Sequence, residues 1–420
     1  MSRAFDYFGK YSAQGADRLG QITRLQWRIL GNSVHLVASA CYPFSTVLQA
    51  LSEPSFVLGA EGLPGGRYLP GSAVMDLVEV EGEALTLRLF DNPSGYRATL
   101  QPHSGTQANQ IVYNAVLDPD DIVLCLKPRD GGHISHSVLI GRRNLTYNYG
   151  LTATGSIDYD HLRNLARTHR PKLIIVGGSA LPRQIDFAQC GEIAREYGAL
   201  LHADISHTAT FIAAGLHPSI FPACDFATFN TVKNLRGPNG GILVYREDLA
   251  TAVHGSIFPT TQGGANETMM LGKFAALLEW SRRDIRDYAA QIVRRARLLA
   301  TVLQEVGIEL TTDGTDCHIL LVELRNSDVT GADLERRFHD AGVLLNKNLI
   351  PNDPRSPLKT SGLRVGVTNL SILGYCDDDL RRLGQWIAAM IQGGRLDPGL
   401  VADLTSKYYW TPECAGTDIQ

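Results

Sequence analysis

Neither sign of charge is in real excess in this sequence: 39 Lys and Arg face 43 Asp and Glu, a formal charge of −4. Nucleic-acid binders usually show a basic surplus or stripe, so no nucleic-acid partner is expected. Long apolar runs are also lacking; none approaches the ~18 residues of a transmembrane helix, and no membrane partner is expected. The opening MSRAFDYFGKYSAQG contains no apolar stretch of the kind a secretory signal needs. Cysteine is sparse and unpatterned: Cys41, Cys125, Cys190, Cys224, Cys317, Cys376 and Cys414 are odd in number, scattered, and form no C-x-x-C. That argues against a disulfide framework or a structural zinc site, and for a reducing, cytoplasmic setting with no metal.

What the sequence does have is glycine, 41 of 420 residues. The usual share is ~7%, and without a G-X-Y period the surplus must lie in turns and tight loops. The length predicts two or three domains. Residues 15–33 carry apolar positions at helical spacing and predict an N-terminal arm over 1–33. Short apolar runs follow at Ile122–Leu126, Leu145–Tyr149, Lys172–Gly177, Leu200–Ala203, Phe226–Asn230 and Gly241–Tyr245. Helical stretches separate them, among them Tyr159–His169 and Ile185–Tyr197. Such alternation predicts a large α/β domain over 34–275 with a mostly parallel sheet. A bridging helix and a second helix, then strands near Cys317–Leu324 and Leu363–Val367 and helices near Ala332–Ala341 and Asp377–Gln392, predict a smaller α+β domain over 276–420. The polar, aromatic tail from Ser406 is expected to be frayed or pinned on a partner subunit.

Three passages carry chemistry. In QPHSGTQAN, Ser104, Gly105 and Thr106 sit where a loop meets a helix, so free N–H groups and hydroxyls form an anion site; a plain helix cap reads equally well. In LLHADISH, Asp204 ends an apolar strand on the side where α/β sheets bind ligands, with His207 three residues on; a turn-capping Asp is the bland alternative. In TVKNLRGPNGG, Lys233 stands in a glycine-rich loop after another strand, suited to imine formation, though a surface lysine is the commoner case. A phosphate cradle, a strand-end carboxylate and a lysine together describe a pyridoxal 5'-phosphate site. The carboxylate pairs with the pyridine nitrogen, and the lysine binds the aldehyde carbon.

With DGGHISHS, FPTTQGG and NDPRSPLKTSGLRVG added, the set resembles serine hydroxymethyltransferase, in that family's order and spacing from about Val34 to Ile391. The resemblance implies an aspartate-aminotransferase-like fold of type I and a homodimer or dimer of dimers. It implies Lys233 as the Schiff-base lysine, Asp204 at the pyridine nitrogen, His207 near the ring's phenolic oxygen and His133 stacked on the ring. It further implies Ser104, Gly105 and Thr106 at the phosphate, with Gly263 and Gly264 arriving from the neighbouring subunit. Ser179 would hydrogen-bond the cofactor, Arg364 and Ser39 would meet the amino-acid substrate, and Thr231 and Arg236 would support the site.

The departures from the family bear on the reaction. Where the family carries a catalytic glutamate in A-S-E-N, this chain reads VASACYPF, with Ala40 at that place and Cys41 beside it. Two family tyrosines become Gly59 and Leu63, and the histidine before the lysine becomes Val232. An alanine cannot move the protons of folate-dependent exchange. Losing two rings should enlarge the pocket or make it more apolar. The leading expectation is a folate-independent, transaldolase-like enzyme joining an aldehyde to a glycyl unit, with His133, His207 or water taking the hydroxyl proton. The alternatives are ordinary serine hydroxymethyl transfer, or its transfer to an unusual acceptor. Behind these stand a non-catalytic relative, and decarboxylation or transamination on the same scaffold.

Overall fold

A computed structural model describes residues 18–57 and 59–411 of the chain. Its centre is a seven-stranded sheet of β1 (Tyr96–Thr99), β2 (Ile122–Leu126), β3 (Leu145–Tyr149), β4 (Leu173–Val176), β5 (Leu200–Asp204), β6 (Phe226–Asn230) and β7 (Gly241–Arg246). The spatial order is β1-β7-β6-β5-β4-β2-β3. From β6 through β3 every pairing is parallel. The apolar runs of β2, β4, β5 and β6 are buried because helices cover both faces. The exception is β7, antiparallel to both β6 and β1. The link from β6 to β7, Thr231–Gly240, is too short for a parallel crossover, so the chain turns back as a hairpin.

Two elements of this half escape the apolar pattern. Helix α3 (Val74–Leu89) follows α1 (Arg18–Gly31) and α2 (Ser45–Ser52). It buries Met75, Val78, Gly82 and Thr86 yet exposes Val74, Leu77 and Val80, so apolar residues on both sides blur its period. Strand β1 is a four-residue edge strand whose Arg97 pairs with Glu83 of α3. Helix α4 (Gly105–Val116) then opens at Ser104, whose Oγ accepts the Gln107 N–H at 3.1 Å.

Helices α5 (Tyr159–His169) and α6 (Phe187–Tyr197) begin at Asp158 and Asp186, each capping the helix through its carboxylate. The long α7 (Glu267–Trp280) and α8 (Ile285–Glu305) lead into a three-stranded antiparallel sheet. It comprises β8 (Ile319–Glu323), β9 (Asn346–Asn348) and β10 (Gly362–Gly366), with β10 central. Helices α9 (Gly331–Asp340) and α10 (Asp377–Gln392) pack beside it.

The chain's beginning is laced into this later part. Val34–His35 pairs with Val343–Leu344, and the Gly366 N–H donates to Leu36 O at 2.8 Å. That lacing holds residues 36–42 at the junction of the two sheets. Helix α1 buries none of its residues. The tail is described only to Thr411, and its Trp410 ring stacks between Trp27 and Tyr42 of the same chain, at 5.7 and 5.2 Å. No helix is long and apolar enough to cross a membrane among the described residues. Six cysteines are free thiols; Cys414 lies outside the described residues.

Candidate active site

The C-terminal ends of the parallel strands converge on one cavity, the edge at which such sheets bind ligands. It encloses about 440 Å³ of atom-free space, mouth included, and is lined by Gly105, Thr106 and Asn109 of α4, His133, Gly178, Ser179, Asp204, Ser206, His207, Asn230 and Lys233. Gly177 makes the turn after β4 possible: its φ is +129°, and a Cβ there would lie 2.1 Å from Asp204 O. Residues from five separate stretches of sequence meet because each lies at or after the end of a strand or opens a helix.

Asp204 is the electrostatic centre. Burial alone would raise its carboxyl pKa, but the His136 hydrogen bond and charge, the Lys233 charge and hydrogen bonding by Ser206 outweigh burial and hold it well below the usual range. His136 Nε2 donates to Oδ2 at 2.9 Å, Asn109 Nδ2 donates to the same oxygen at 2.9 Å, and Ser206 N donates to Oδ1 at 3.1 Å. Asn109 is itself oriented, since its Oδ1 accepts from Thr228 Oγ1 at 2.6 Å. The carboxylate is therefore ionised and aimed. Lys233 faces it, and burial pushes the lysine's pKa down to about 8, with Asp204 opposing and Arg364 assisting the shift.

The histidines carry readable tautomers. The Ser135 N–H donates to His133 Nδ1 at 3.2 Å, and Ser135 Oγ lies 2.7 Å from the same nitrogen. That nitrogen is the acceptor, so the neutral ring carries its proton on Nε2. Behind His207, Asn234 Nδ2 donates to His318 Nδ1 at 3.1 Å, which leaves the His318 proton on Nε2. His318 Nε2 lies 3.1 Å from Ala38 O and 3.3 Å from His207 Nδ1. His207 thus accepts at Nδ1 and also holds its proton at Nε2. Burial, reinforced by Lys233, His318 and Arg364, keeps His207 far below its ordinary pKa; burial likewise lowers His133. Both rings are wired as neutral donors.

Arg364, on β10, borders the cavity without lining it. Its Nη1 donates to Ser179 O at 2.6 Å and its Nε to Asn346 Oδ1 at 3.2 Å. No carboxylate pairs with this buried guanidinium among the described residues, and burial pulls its pKa down to about 10. Such a group calls for an anion. Ser104 spends its hydroxyl on the α4 cap, so only Gly105 and Thr106 of that trio line the cavity. Ser39 is half-buried and outside the lining. Thr231 and Arg236 belong to the lysine loop and pin it: Thr231 Oγ1 donates to Pro238 O at 2.6 Å, and Arg236 Nε donates to Tyr42 O at 3.1 Å.

Gly263, Gly264, Gly59 and Leu63 do not line this chain's cavity. They share a separate rim, where Glu61 bridges Gly264 and the Ala60 N–H donates to Glu267. The expected enlargement at Gly59 is not seen within the chain: Gly59 has a φ of +58°, and a Cβ there would already lie 3.0 Å from Leu69 Cδ1. Ala40 is exposed, and the Cys41 thiol donates to Lys233 O. His133, His136 and Asp204 bring ligand atoms within 4.8 Å of one another. A cation there would have to break the His136–Asp204 bond and the Ser135–His133 bond.

His136, Asn109, Ser206, Asn230 and His318 belong to the site although sequence reasoning did not single them out. The signal was present for two: His136 stands in the same DGGHISHS passage as His133, and Asn109 is one helical turn past Gly105.

The fit of the cavity to pyridoxal phosphate is specific. An ionised carboxylate at its depth keeps a pyridine nitrogen protonated, a low-pKa lysine faces it, and the N-terminus of α4 opens onto the mouth. Fold and site are those of a fold-type-I pyridoxal-phosphate enzyme. A family model described as serine hydroxymethyltransferase matches residues 18–387, and the chain belongs to that family. With it come pyridoxal 5'-phosphate as cofactor and aldol-type Cα–Cβ chemistry on glycine and serine.

Proposed function

We propose that this enzyme exchanges aldehydes on a glycyl unit without folate, in the manner of a threonine transaldolase, and releases a β-hydroxy-α-amino acid. The observation carrying the folate-independent part is the makeup of the wall. Asp204 is the only carboxylate among the lining residues, and its three hydrogen bonds commit it to the cavity floor. At Ala40 an exposed methyl stands where proton transfer would need an acid.

The bound cofactor supplies a ring that accepts the electrons left at Cα when the Cα–Cβ bond breaks. In this reading Lys233 holds the cofactor's aldehyde carbon, and Asp204 pairs with its ring nitrogen. His133 would stack on the ring, and His207 would lie near its phenolic oxygen. Gly105, Thr106 and the cap at Ser104 would receive the phosphate on the helix N-terminus, and Ser179 would hydrogen-bond the cofactor. Arg364, with Ser39 beside it, holds the substrate carboxylate in its unpaired guanidinium. Because both cavity histidines present N–H, the basic groups left for the substrate hydroxyl are water and the Lys233 amine whenever it is free of the cofactor, its pKa then lowered by burial to about 8.

Members of the family oligomerise. A homodimer or dimer of dimers fits the separate rim: Gly263 and Gly264, joined to the Gly59–Leu63 segment by the Glu61 bridge, would reach the neighbour's site together. The substitutions at Gly59 and Leu63 would then act on the neighbour's aldehyde pocket. The exposed stripe Val74, Leu77 and Val80 on α3 gives the apolar face such a dimer covers.

Product analysis tests the reading. Purified enzyme with threonine and a panel of aldehydes should form β-hydroxy-α-amino acids and acetaldehyde, at rates unchanged by tetrahydrofolate. Strict folate dependence with serine would instead establish ordinary hydroxymethyl transfer.

A further inference from the structure

A second lysine is hidden behind the phosphate cradle. Lys273 of α7 is 0% exposed, and its Nζ donates to Leu100 O, to Pro102 O at 2.9 Å and to Gly241 O at 3.2 Å. Three carbonyls use all three ammonium hydrogens, and no carboxylate touches the group among the described residues. Burying a cation without a counter-ion costs several kcal/mol, and neutral carbonyls offset only part of that cost. Burial accordingly lowers its pKa to about 7.

The carbonyls it gathers all belong to the backbone that shapes the anion site. Leu100 and Pro102 lead into Ser104 and the start of α4, and Gly241 opens β7. The Gly241 N–H donates back to Pro102 O at 3.1 Å. A Cβ at Gly241 would lie 2.3 Å from Ser104 O, and one at Gly240 would lie 2.8 Å from Lys273 Cδ. The two glycines let the lysine arm and the cradle pack against one another.

We propose that Lys273 is a positioning residue for the cofactor's phosphate. It fixes the Leu100–Ser104 backbone from behind and places a buried positive charge under the site where a phosphate dianion docks; Glu79 acts on that charge without touching it, and the dianion adds counter-charge across the loop. The proposal rests on the cofactor assignment above and adds a residue that does not touch the cofactor.

The test compares pyridoxal 5'-phosphate with pyridoxal, which lacks the phosphate, as ligands of the apo-protein, each followed by absorbance titration. Lys273→Met removes the charge and the hydrogen bonds. Lys273→Gln keeps an amide donor, is the gentler variant for folding, and isolates the charge. Both should weaken pyridoxal 5'-phosphate at least ~10-fold, the scale of one buried charge acting over several ångströms, while pyridoxal changes less than ~2-fold. Inorganic phosphate should raise the melting temperature of the wild-type apo-protein more than that of Lys273→Gln. Equal weakening of both ligands, or no weakening of either, overturns the proposal. A wild-type protein that binds neither ligand would instead overturn the cofactor assignment.

Discussion

Lys233 and Lys273 are both buried lysines with depressed pKa values, about 8 and about 7, yet their surroundings give them opposite work. Lys233 lines the cavity and faces Asp204, and its amine makes no hydrogen bond among the described residues. Lys273 is closed into solid backbone with every hydrogen given to a carbonyl. Desolvation makes an amine nucleophilic only where a substrate can reach it. Access separates the reactive lysine from the fixed one, and a low pKa alone does not.

The largest expected effect follows from that difference. Lys233→Ala should abolish turnover and the visible absorbance of lysine-bound cofactor, while the purified apo-protein, rid of a buried amine whose protonation opposes folding, melts no lower than the wild type. Absorbance surviving in Lys233→Ala would mean that the accessible lysine is not the attachment point. Asp204→Asn comes next. Losing the buried carboxylate should cost ~10²–10³ in kcat, the scale of one preorganised electrostatic partner. Asp204 also raises the pKa of Lys233, so the pH midpoint for cofactor capture by the apo-protein should move below 8 in this variant. Lys273 has Glu79 and not Asp204 among its charged neighbours, so its titration should stay put.

A third effect separates the lysines through stability. Each has a folded pKa below the 10.5 of its unfolded state. Above the folded value the unfolded chain binds more protons, so stability rises with pH. For the apo-protein the rise should begin near pH 7 and amount to on the order of a few kcal/mol by pH 8.5. Above about pH 9 the buried thiols pull the other way, because burial raises Cys41 and Cys125 to about 12 and the unfolded chain loses those protons first. Urea midpoints across pH 6–10 check this. Lys273→Gln should flatten the rise from pH 7 onward, and Lys233→Ala only above about pH 8. Identical profiles for the two variants would erase the distinction drawn between them.

The inner parallel strands were legible because each is a short apolar run buried on both faces; β2 and β6 fall on the residues the pattern predicts, and so does the edge strand β3, although it is only partly buried. Strand β1 and helix α3 were not, since an edge strand bearing Arg97 and a helix apolar on two sides have no clean period. The site was legible wherever the side chain's chemistry stands at a strand end or in a glycine loop, as with Asp204 and Lys233. It was illegible where a role comes from a contact between distant segments. His318 meets His207 across 111 residues, and Asn109 meets Asp204 across 95. The rim at Gly59 shows the reverse limit: a substitution that looks like an emptied pocket in the sequence sits outside this chain's cavity.

His136 is the residue whose importance geometry adds most plainly, and its test carries the smallest expected effect. It is fully buried, and its Nε2 holds the same carboxylate oxygen as Asn109. A hydrogen bond to a buried charge contributes about 1.5–3 kcal/mol, so His136→Ala should lower kcat by ~10-fold or somewhat more. The pH profile tells positioning from mere packing. His136 helps keep Asp204 ionised, so its loss should raise the carboxyl pKa. The acid limb of kcat/KM would then move toward neutrality, with activity lost at a higher pH on acidification. His136→Asn, which can offer an amide donor in its place, should restore part of the limb's position. An acid limb unmoved in His136→Ala would show that Asn109, Ser206 and Lys233 hold the charge without His136.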